Sequence, residues 1–404
     1  MSEQQGKIMQ WVDKRFPATE TWNAHIAKYY APKNFNFWYF FGSLAMLVLV
    51  NQILTGIWLT MNFMPSAESA FDSVEYIMRD VDWGWLLRYM HSTGASAFFV
   101  VIYLHMFRGL MYGSYRKPRE LVWIFGMIIF VLLMAEGFMG YLLPWGQMSY
   151  WGAQVIINLF GAISTDLGIW IRGDYVVSGV TLNRFFALHV VAVPMALLIM
   201  VFLHLVALHK VGSNNPDGIE IKETKDENGI PLDGIPFHPY YTVKDIMGVA
   251  GFLIIFCGII FFSPEMGGYF LEGPNFLAAN PLQTPPHIAP VWYFTPFYTI
   301  LRAVPDKIVG VILMGTAIGV LFVLPWLDRS PVKSIRYKGM LYKSILTLFV
   351  IAFFGLGWLG TQVPTPTKTL WSQIFAIIYF GFFFLMPVYS KMDKTKPVPA
   401  RVTH

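Results

Sequence analysis

The chain has 404 residues, of which 55% are hydrophobic, 17% aromatic and only 13% charged. Soluble proteins carry about a quarter charged residues, so this composition excludes an ordinary water-soluble fold and indicates lipid as the main solvent. Lys and Arg (29) outnumber Asp and Glu (24), but no aromatic-basic motif for nucleic acid is visible, so we attribute the excess to membrane topology and anionic lipid.

Eight apolar stretches have the length needed to cross a hydrocarbon core of roughly 30 Å, which is about 20 helical residues. We name them spans A to H, at 38–62, 84–111, 120–142, 182–208, 243–262, 308–327, 341–360 and 370–388. They predict an all-α polytopic membrane protein with eight transmembrane helices.

The orientation follows from cationic residues, because cytoplasmic connections retain an excess of Lys and Arg. The excess lies in the termini and in the B–C, D–E and F–G connections, with Arg116, Lys222, Arg329 and Lys391 among its members. We therefore predict that both termini and these three connections face the cytoplasm.

Three connections are too long for simple turns. Segment 209–242 is polar and charged, which predicts an ordinary solvated loop. Segments 143–181 and 263–307 are rich in Trp and Tyr, and such side chains favour the membrane–water boundary. We expect these two to form partly helical segments on the outer surface that cover a pocket.

Four histidines lie inside two spans: His91 and His105 in span B, His189 and His204 in span D. An ionisable residue in a membrane is costly and indicates function. At about 100° per residue, the interval of 14 in span B falls about 40° short of the same face, and the interval of 15 in span D overshoots it by about 60°. If B and D pack antiparallel, two imidazole pairs form, and each could bind one haem iron axially from both sides. A single histidine would favour the alternative of a polar bond between helices.

Glycines repeat the histidine interval in the neighbouring spans. Gly42 and Gly56 in span A, and Gly126 and Gly140 in span C, are 14 residues apart in each case. A macrocycle between helices needs backbone without Cβ where its face approaches, although small residues also mediate ordinary helix packing.

Two arginines flank the histidines of span B. Arg88 precedes His91 by three residues and Arg108 follows His105 by three. We expect each cation to lie toward the membrane surface and to pair with haem propionates; the alternative is an arginine that simply reaches the interface.

The only cysteine, Cys257, lies in span E and is expected to be a buried, inert thiol. One cysteine cannot hold an iron–sulfur cluster on four thiolates, and no C-x-x-C-H haem-attachment motif occurs.

Several runs resemble the cytochrome b family of cytochrome bc complexes. They are GYLLPWGQMSYWGA from Gly140, RFFALH from Arg184, LHKVGSNNP from Leu208 and PLQTPPHIAPVWYFTPFYTILRAVPDK from Pro281. The similarity extends over nearly all the chain and matches the undivided bacterial and mitochondrial type. It implies a di-haem four-helix bundle in residues 1–211, with an amphipathic N-terminal segment, and a four-helix region with the outer quinol-site connection in 212–404.

The resemblance implies a subunit of a quinol:cytochrome c oxidoreductase that runs a protonmotive Q cycle. Quinol is oxidised at an outer site, and one electron passes to a Rieske iron–sulfur protein and then to a c-type cytochrome. The other crosses the membrane through two b haems and reduces quinone at an inner site. By the family pattern, His91 and His189 hold the low-potential haem, and His105 and His204 the high-potential one. A homodimer in the bacterial cytoplasmic membrane, with lipid contacts, is also implied.

The family pattern carries over to two quinone sites. The residues implied at the outer site are Tyr141, Gly152, Pro290, Val291, Trp292, Tyr293 and Tyr298. Those implied at the inner site are His209, Ser213, Lys244 and Asp245, whose side chains can donate protons to a reduced quinone. Read without the family, His209 could equally be solvated at a helix end.

The sequence departs from the family pattern at Val291, where many members carry the glutamate proposed to accept a quinol proton. Glu136 lies one turn before Gly140, and we expect this carboxylate to replace it because a carboxylate in lipid is retained for function. Glu265 and Glu272 of the E–F connection are further candidates, for which we expect surface exposure.

The interval of 15 in span D also departs from the 14 common in mitochondrial-type members of the family, and Pro194 between the two histidines is expected to loosen the helix. Two other protein classes are alternatives. A di-haem cytochrome that anchors a dehydrogenase would lack the motif around Pro290, and a secondary transporter with broken helices would bind no haem.

Overall fold

The protein is described here by a computed structural model that covers residues 6–23 and 29–403. The α-helices in these residues are α1 Lys7–Asp13, α2 Ala18–Trp22, α3 Phe40–Thr60, α4 Ala70–Arg79, α5 Gly84–Tyr112, α6 Glu120–Leu142, α7 Gln147–Ile163, α8 Thr165–Arg172, α9 Gly179–Ala187, α10 Val193–Val211, α11 Thr242–Phe262, α12 Thr295–Arg302, α13 Lys307–Leu327, α14 Met340–Gly360, α15 Pro366–Phe384 and α16 Met386–Met392. Strands β1 Tyr30–Pro32 and β2 Gly234–Pro236 form a short antiparallel ladder that pairs Tyr30 with Pro236.

Seven helical segments of the described chain are each long and apolar enough to cross a membrane, and α15 with α16 forms an eighth, bent by 64°. They coincide with spans A to H, so the prediction of an all-α polytopic membrane protein is confirmed. Span D is one segment, Gly179–Val211, that joins α9 and α10.

The junction between α9 and α10 explains the unusual histidine interval. Residues Leu188–Ala192 form a π-helical turn, and Pro194 follows directly at the start of α10. Proline clashes with the carbonyl four residues before it, and a π turn, in which bonds run to the fifth residue, relieves this clash and takes up one extra residue. The expected loosening by Pro194 therefore takes the form of a π turn that absorbs the fifteenth residue.

The C–D and E–F connections lie at one end of the membrane helices, which we call the E–F end. Helices α7 and α8 lie in the first connection and α12 in the second, as expected for partly helical covers. Gln147 joins the two, because its Nε2 donates to Gln283 O at 2.5 Å and its Oε1 accepts from Asn280 N at 2.7 Å.

The opposite end, which we call the D–E end, carries the D–E and F–G connections. The expectation of an ordinary solvated loop at 209–242 is wrong for its first part, where Asn215 is 0% and Asp217 1% exposed. Asp217 accepts hydrogen bonds from Arg336 and Thr403, so late segments of the chain close over this loop.

The largest hydrophobic core combines residues of both halves of the chain, such as Phe99, Phe130, Leu321 and Phe382. The division at residue 211 stays a prediction. The expectation of a buried thiol is wrong: Cys257 is exposed on α11. Burial of small apolar groups brings no hydrophobic gain where the surrounding solvent is lipid.

Candidate functional site

Each of the four histidine rings of the bundle lies against one glycine of a neighbouring helix. A Cβ added to the glycine would approach the ring within van der Waals distance or closer: Gly42 to His105 Cε1 at 3.5 Å, Gly56 to His91 Cε1 at 3.2 Å, Gly126 to His204 Cε1 at 3.4 Å and Gly140 to His189 Nδ1 at 2.9 Å. The equal 14-residue spacing of the glycines thus matches the histidine positions. The sequence predicted that these glycines leave space for a macrocycle. In the structure the space is occupied by the imidazole rings themselves.

The hydrogen bonds of His91 fix its tautomer. The Thr55 hydroxyl lies 2.9 Å from His91 Nδ1 and 2.6 Å from Asn51 O. Since the carbonyl can only accept, the hydroxyl donates to Asn51 and accepts from Nδ1–H. The lone pair of His91 is therefore on Nε2, which is the arrangement found in metal-binding histidines.

His189 has the same tautomer through different partners. Its Nδ1 lies 3.1 Å from the Glu136 backbone oxygen and 3.0 Å from Glu136 Oε1. Both oxygens accept, so Nδ1 carries the proton and Nε2 again presents a lone pair. Glu136 thus contacts His189 through both its backbone oxygen and its side chain.

The rings of His91 and His189 are 6.1 Å apart between centroids and perpendicular, with an interplanar angle of 87°. Two metal–imidazole bonds of about 2 Å each, together with the distance from each ring centre to its nitrogen, require a centroid separation of this size. Both rings line a cavity of about 490 Å³, within the range of small-molecule and cofactor sites. The tautomers, the separation and the cavity fit a flat metal-centred cofactor bound from both faces.

Two arginines of α5 lie beside the histidines without an acidic partner among the described residues. Arg88 lines the cavity, and the Nε of Arg108 is buried without a hydrogen bond, while the guanidinium lies 4.9 Å from the centre of the Tyr39 ring. A buried cation without a counter-charge is costly, so both positions fit an anionic group of a bound cofactor.

The outer-site motif of the E–F connection forms part of the cavity wall. Tyr141, Val291 and Tyr293 line the cavity, and Tyr293 stacks on Phe99 with centroids 3.8 Å apart. The Trp292 indole N–H donates to Ser96 Oγ at 3.1 Å.

The remaining residues of the motif support this wall. A Cβ on Gly152 would lie 3.5 Å from Tyr141 Cε1. Tyr298 donates to Ile288 O at 3.5 Å, and Pro290 is partly buried next to Val291.

The E–F carboxylates are not plainly exposed as expected. Glu265 and Glu272 are both partly buried, and Glu272 Oε2 accepts a hydrogen bond of 2.8 Å from the Tyr141 hydroxyl. Burial raises the pKa of Glu272 to about 7, although the hydrogen bond from Tyr141 opposes the rise. The expectation failed because the C–D and E–F connections are joined to each other and cover this position.

The inner-site residues lie at the D–E end in two groups. His209 stacks on Tyr29 with centroids 4.6 Å apart, and the Tyr29 hydroxyl lies 3.1 Å from Ser213 Oγ. On α11, Asp245 accepts a hydrogen bond of 2.8 Å from Ser43, and Lys244 lies 5.3 Å from the centre of the Tyr241 ring. His209 is therefore packed against an aromatic ring.

Sequence reasoning missed Thr55, Tyr29 and the contact made by Glu272. Thr55 directly precedes Gly56, so its proximity to His91 could have been inferred from the glycine. Tyr29 and Glu272 act across more than 100 residues of sequence separation, and no local pattern indicates such contacts.

The fold and site together define a polytopic membrane protein whose central helices present one imidazole pair with fixed tautomers, His91 and His189, to a cofactor cavity with a partly aromatic wall. Residues 26–212 match the family model "Cytochrome b/b6/petB" and residues 278–380 match "Cytochrome b(C-terminal)/b6/petD". The chain belongs to the cytochrome b family, the membrane core of the quinol:cytochrome c oxidoreductase known as complex III.

Relatives with this family name match over most or all of their length. Cytochrome b of Allochromatium vinosum is 64% identical, with 100% of both chains covered. Cytochrome b of Rhodospirillum rubrum is 48% identical, covering 98% of this chain and 96% of the relative. A chain of a solved hyperthermophilic respiratory Complex III superposes with a TM-score of 0.88 at 39% identity, covering 95% of this chain and 98% of that one.

The membership confirms the expectation of an oxidoreductase subunit in electron transport. It implies quinol oxidation with electron transfer, two b-type haems, and a complex with Rieske and cytochrome c1 subunits. Both the dehydrogenase anchor and the transporter are thereby excluded.

Proposed function

We propose that the chain runs a Q cycle between its two ends. Quinol is oxidised in the cavity at the E–F end, where one electron of each pair leaves to the Rieske partner. The second electron crosses to the D–E end and reduces quinone there. The observation that carries this proposal is the pair His91 and His189. In each ring Nδ1–H donates to a protein oxygen, which leaves the lone pair on Nε2, and the ring centroids are 6.1 Å apart at the cavity.

We assign His91 and His189 to the low-potential haem b and His105 and His204 to the high-potential one. When bound, the haems carry single electrons, because filled axial positions leave no site for oxygen. The glycines at 42, 56, 126 and 140 keep the imidazoles in place by leaving no Cβ against them. Arg88 and Arg108 have no carboxylate partner among the described residues and would pair with the propionates.

At the E–F end, Tyr141, Val291 and Tyr293 form the wall against which a quinol ring would lie. Gly152, Pro290, Trp292 and Tyr298 hold this wall in shape. Glu136 lines the same cavity and remains a predicted acceptor for one quinol proton. Replacement Glu136→Gln should then slow quinol oxidation with normal haem content, whereas an unchanged rate across pH would remove this role.

At the D–E end, His209, Ser213, Lys244 and Asp245 would bind quinone and supply its protons. The stack of Tyr29 on His209 supports an aromatic ring at this position. The clustering of cations supports an orientation with the D–E end and both termini in the cytoplasm of a bacterial cell. A homodimer of the complex, with lipid in contact with the exposed apolar helices, completes the proposal.

A reduced-minus-oxidised spectrum with redox titration of the purified complex tests this function. Two b-haem components with separate midpoint potentials are expected, together with quinol-dependent reduction of cytochrome c. A single component, or a preparation without protohaem, would contradict the assignment of two imidazole pairs.

A further inference from the structure

The quinol pocket lacks a carboxylate at the position where the family motif usually supplies one. Val291 is only 4% exposed and lines the cavity, and its side chain can neither accept nor relay a proton. Quinol oxidation nevertheless releases two protons, so another group on the wall has to accept the one that does not leave with the Rieske partner.

Tyr141 connects this wall to a carboxylate from a different part of the chain. The Tyr141 ring lines the cavity, and its hydroxyl donates to Glu272 Oε2 at 2.8 Å. Leu271, the neighbour of Glu272, also lines the cavity, whereas Gly273 and Pro274 on the other side are exposed. Glu272 therefore stands between the quinol pocket and the surface of the protein.

The other two candidate carboxylates are differently engaged. Glu136 Oε1 lies 3.0 Å from Nδ1 of His189, so this oxygen is engaged by the imidazole. Glu265 contacts Tyr89, which lines an adjoining cavity of about 300 Å³ together with Arg79 and Phe71; Tyr89 is not among the residues that line the quinol cavity.

We propose that Tyr141 and Glu272, instead of the Glu136 predicted from the sequence, form the proton relay that replaces the missing motif carboxylate; this inference rests on the proposed quinol oxidation at the E–F end. As the quinol O–H bond breaks, its proton joins the Tyr141 oxygen while the Tyr141 proton passes to the Glu272 carboxylate. One O–H bond forms on each acceptor and one breaks on each donor. The electrons leave to the Rieske partner and the outer haem, as in the proposed function, and Glu272 then releases its proton to the surface.

The electrostatics of Glu272 suit an acceptor that works near neutral pH. Burial raises its pKa to about 7, close to the value at which a general base combines availability with driving force. The titratable groups that face it are Tyr141 and Tyr293. Phenols titrate near 10 in water, so only the carboxyl changes charge near neutral pH. Since the relay requires the carboxylate, the rate should rise as pH increases through about 7.

The test uses the intact complex in membranes, assayed for quinol:cytochrome c reduction from pH 5.5 to 9. Glu272→Gln keeps the shape of the side chain and should lower kcat about 100-fold, with loss of the rise near pH 7, because general-base catalysis contributes about 10²–10⁴. Tyr141→Phe, which removes only the hydroxyl, should show a similar loss. Glu265→Gln is the matched control from the same connection and should keep the rate and pH profile of the unmodified complex.

A rescue variant separates proton transfer from a structural role. Glu272→Gln combined with Val291→Glu restores a carboxylate on the wall by the usual family route and should recover most of the lost rate. The reduced-minus-oxidised spectrum of each variant checks that both haems are retained.

The relay is overturned if Glu272→Gln with both haems keeps the rate and pH profile of the unmodified complex, or if Val291→Glu fails to rescue it. If the unmodified complex itself oxidises no quinol or shows no b haem, the proposed function fails instead. The two failures are therefore distinguishable in one set of measurements.

Discussion

The buried carboxylates of the connections at the D–E end and the carboxylates nearest the cavity at the E–F end have different partners. In the D–E and F–G connections they face cations: Asp328 lies 2.6 Å from Lys338 and Asp217 2.9 Å from Arg336. At the E–F end the two carboxylates nearest the cavity face groups that are neutral in their ordinary state, Glu136 an imidazole and Glu272 a phenol.

The pKa values outside the membrane follow this difference. Burial works to raise the pKa of Asp328, but the charges of Lys338 and Arg116 and the hydrogen bonds from Lys338 and Tyr115 together outweigh it, and the pKa is lowered. Burial raises the pKa of Glu272 to about 7 because no cation opposes it. A carboxylate that is paired holds connections together, whereas one left without a cation stays available for proton transfer.

The same difference appears in Asp233, which joins three parts of the chain at the D–E end. It contacts Arg401 at 2.7 Å and Lys33 at 3.1 Å. The hydrogen bond from Arg401 is the main cause that lowers the pKa of Asp233 to about 2. This carboxylate stays charged at any physiological pH and has no part in proton chemistry.

The largest effect should come from removing a cofactor ligand at one end only. His91→Leu should abolish quinol oxidation and remove one of the two b-haem components, because a haem iron bound by a single remaining imidazole loses half of its axial ligation. His105→Leu should remove the other component. The spectrum after redox titration measures this, and a His91→Leu complex with both components would break the assignment of the pairs to separate ends.

The next effect concerns stability at the D–E end. Lys338 and Asp328 are both 0% exposed, so Lys338→Met leaves a buried charge uncompensated and should destabilise the complex by roughly 3–5 kcal/mol. The double variant Lys338→Met with Asp328→Leu should recover most of the loss, as apolar replacements of buried pairs often do. Thermal unfolding of the solubilised complex measures both, and a neutral single variant would contradict a structural role for this pair.

Glycine replacement should distinguish a glycine that is packed against a histidine from one that is not. A Cβ on Gly140 would overlap the His189 ring, whereas a Cβ on Gly251 of α11 would meet nothing within 4 Å. Gly140→Ala should therefore shift the midpoint potential of the haem assigned to His91 and His189 or lower its content, and Gly251→Ala should leave both unchanged. Equal behaviour of the two variants would mean that the close approach of glycine and imidazole is not required.

The smallest effect should follow from loss of the Thr55 acceptor. Thr55→Val removes the partner of His91 Nδ1 and should shift the potential of one haem with little change in haem content, since partners of metal ligands tune a site that the ligands themselves hold. Thr316→Val is the matched control, because the exposed Thr316 hydroxyl only contacts the carbonyl four residues before it, at 2.8 Å. A shift of equal size in both variants would remove the tuning role.

The sequence by itself determined the eight membrane helices, because the length and apolarity of each span are local properties. It also indicated the four histidines, since intramembrane ionisable residues at matched intervals are visible without any tertiary contact. The glycine intervals are likewise visible in the sequence alone, and the structure brings each of the four glycines against one of these rings.

Only the tertiary structure decided which carboxylates are paired and which are left for chemistry. Tyr141 and Glu272 are 131 residues apart, and Asp217 and Thr403 are 186 apart. Pairing, burial and pKa depend on the charges that folding brings within a few ångströms, and sequence distance carries no record of them.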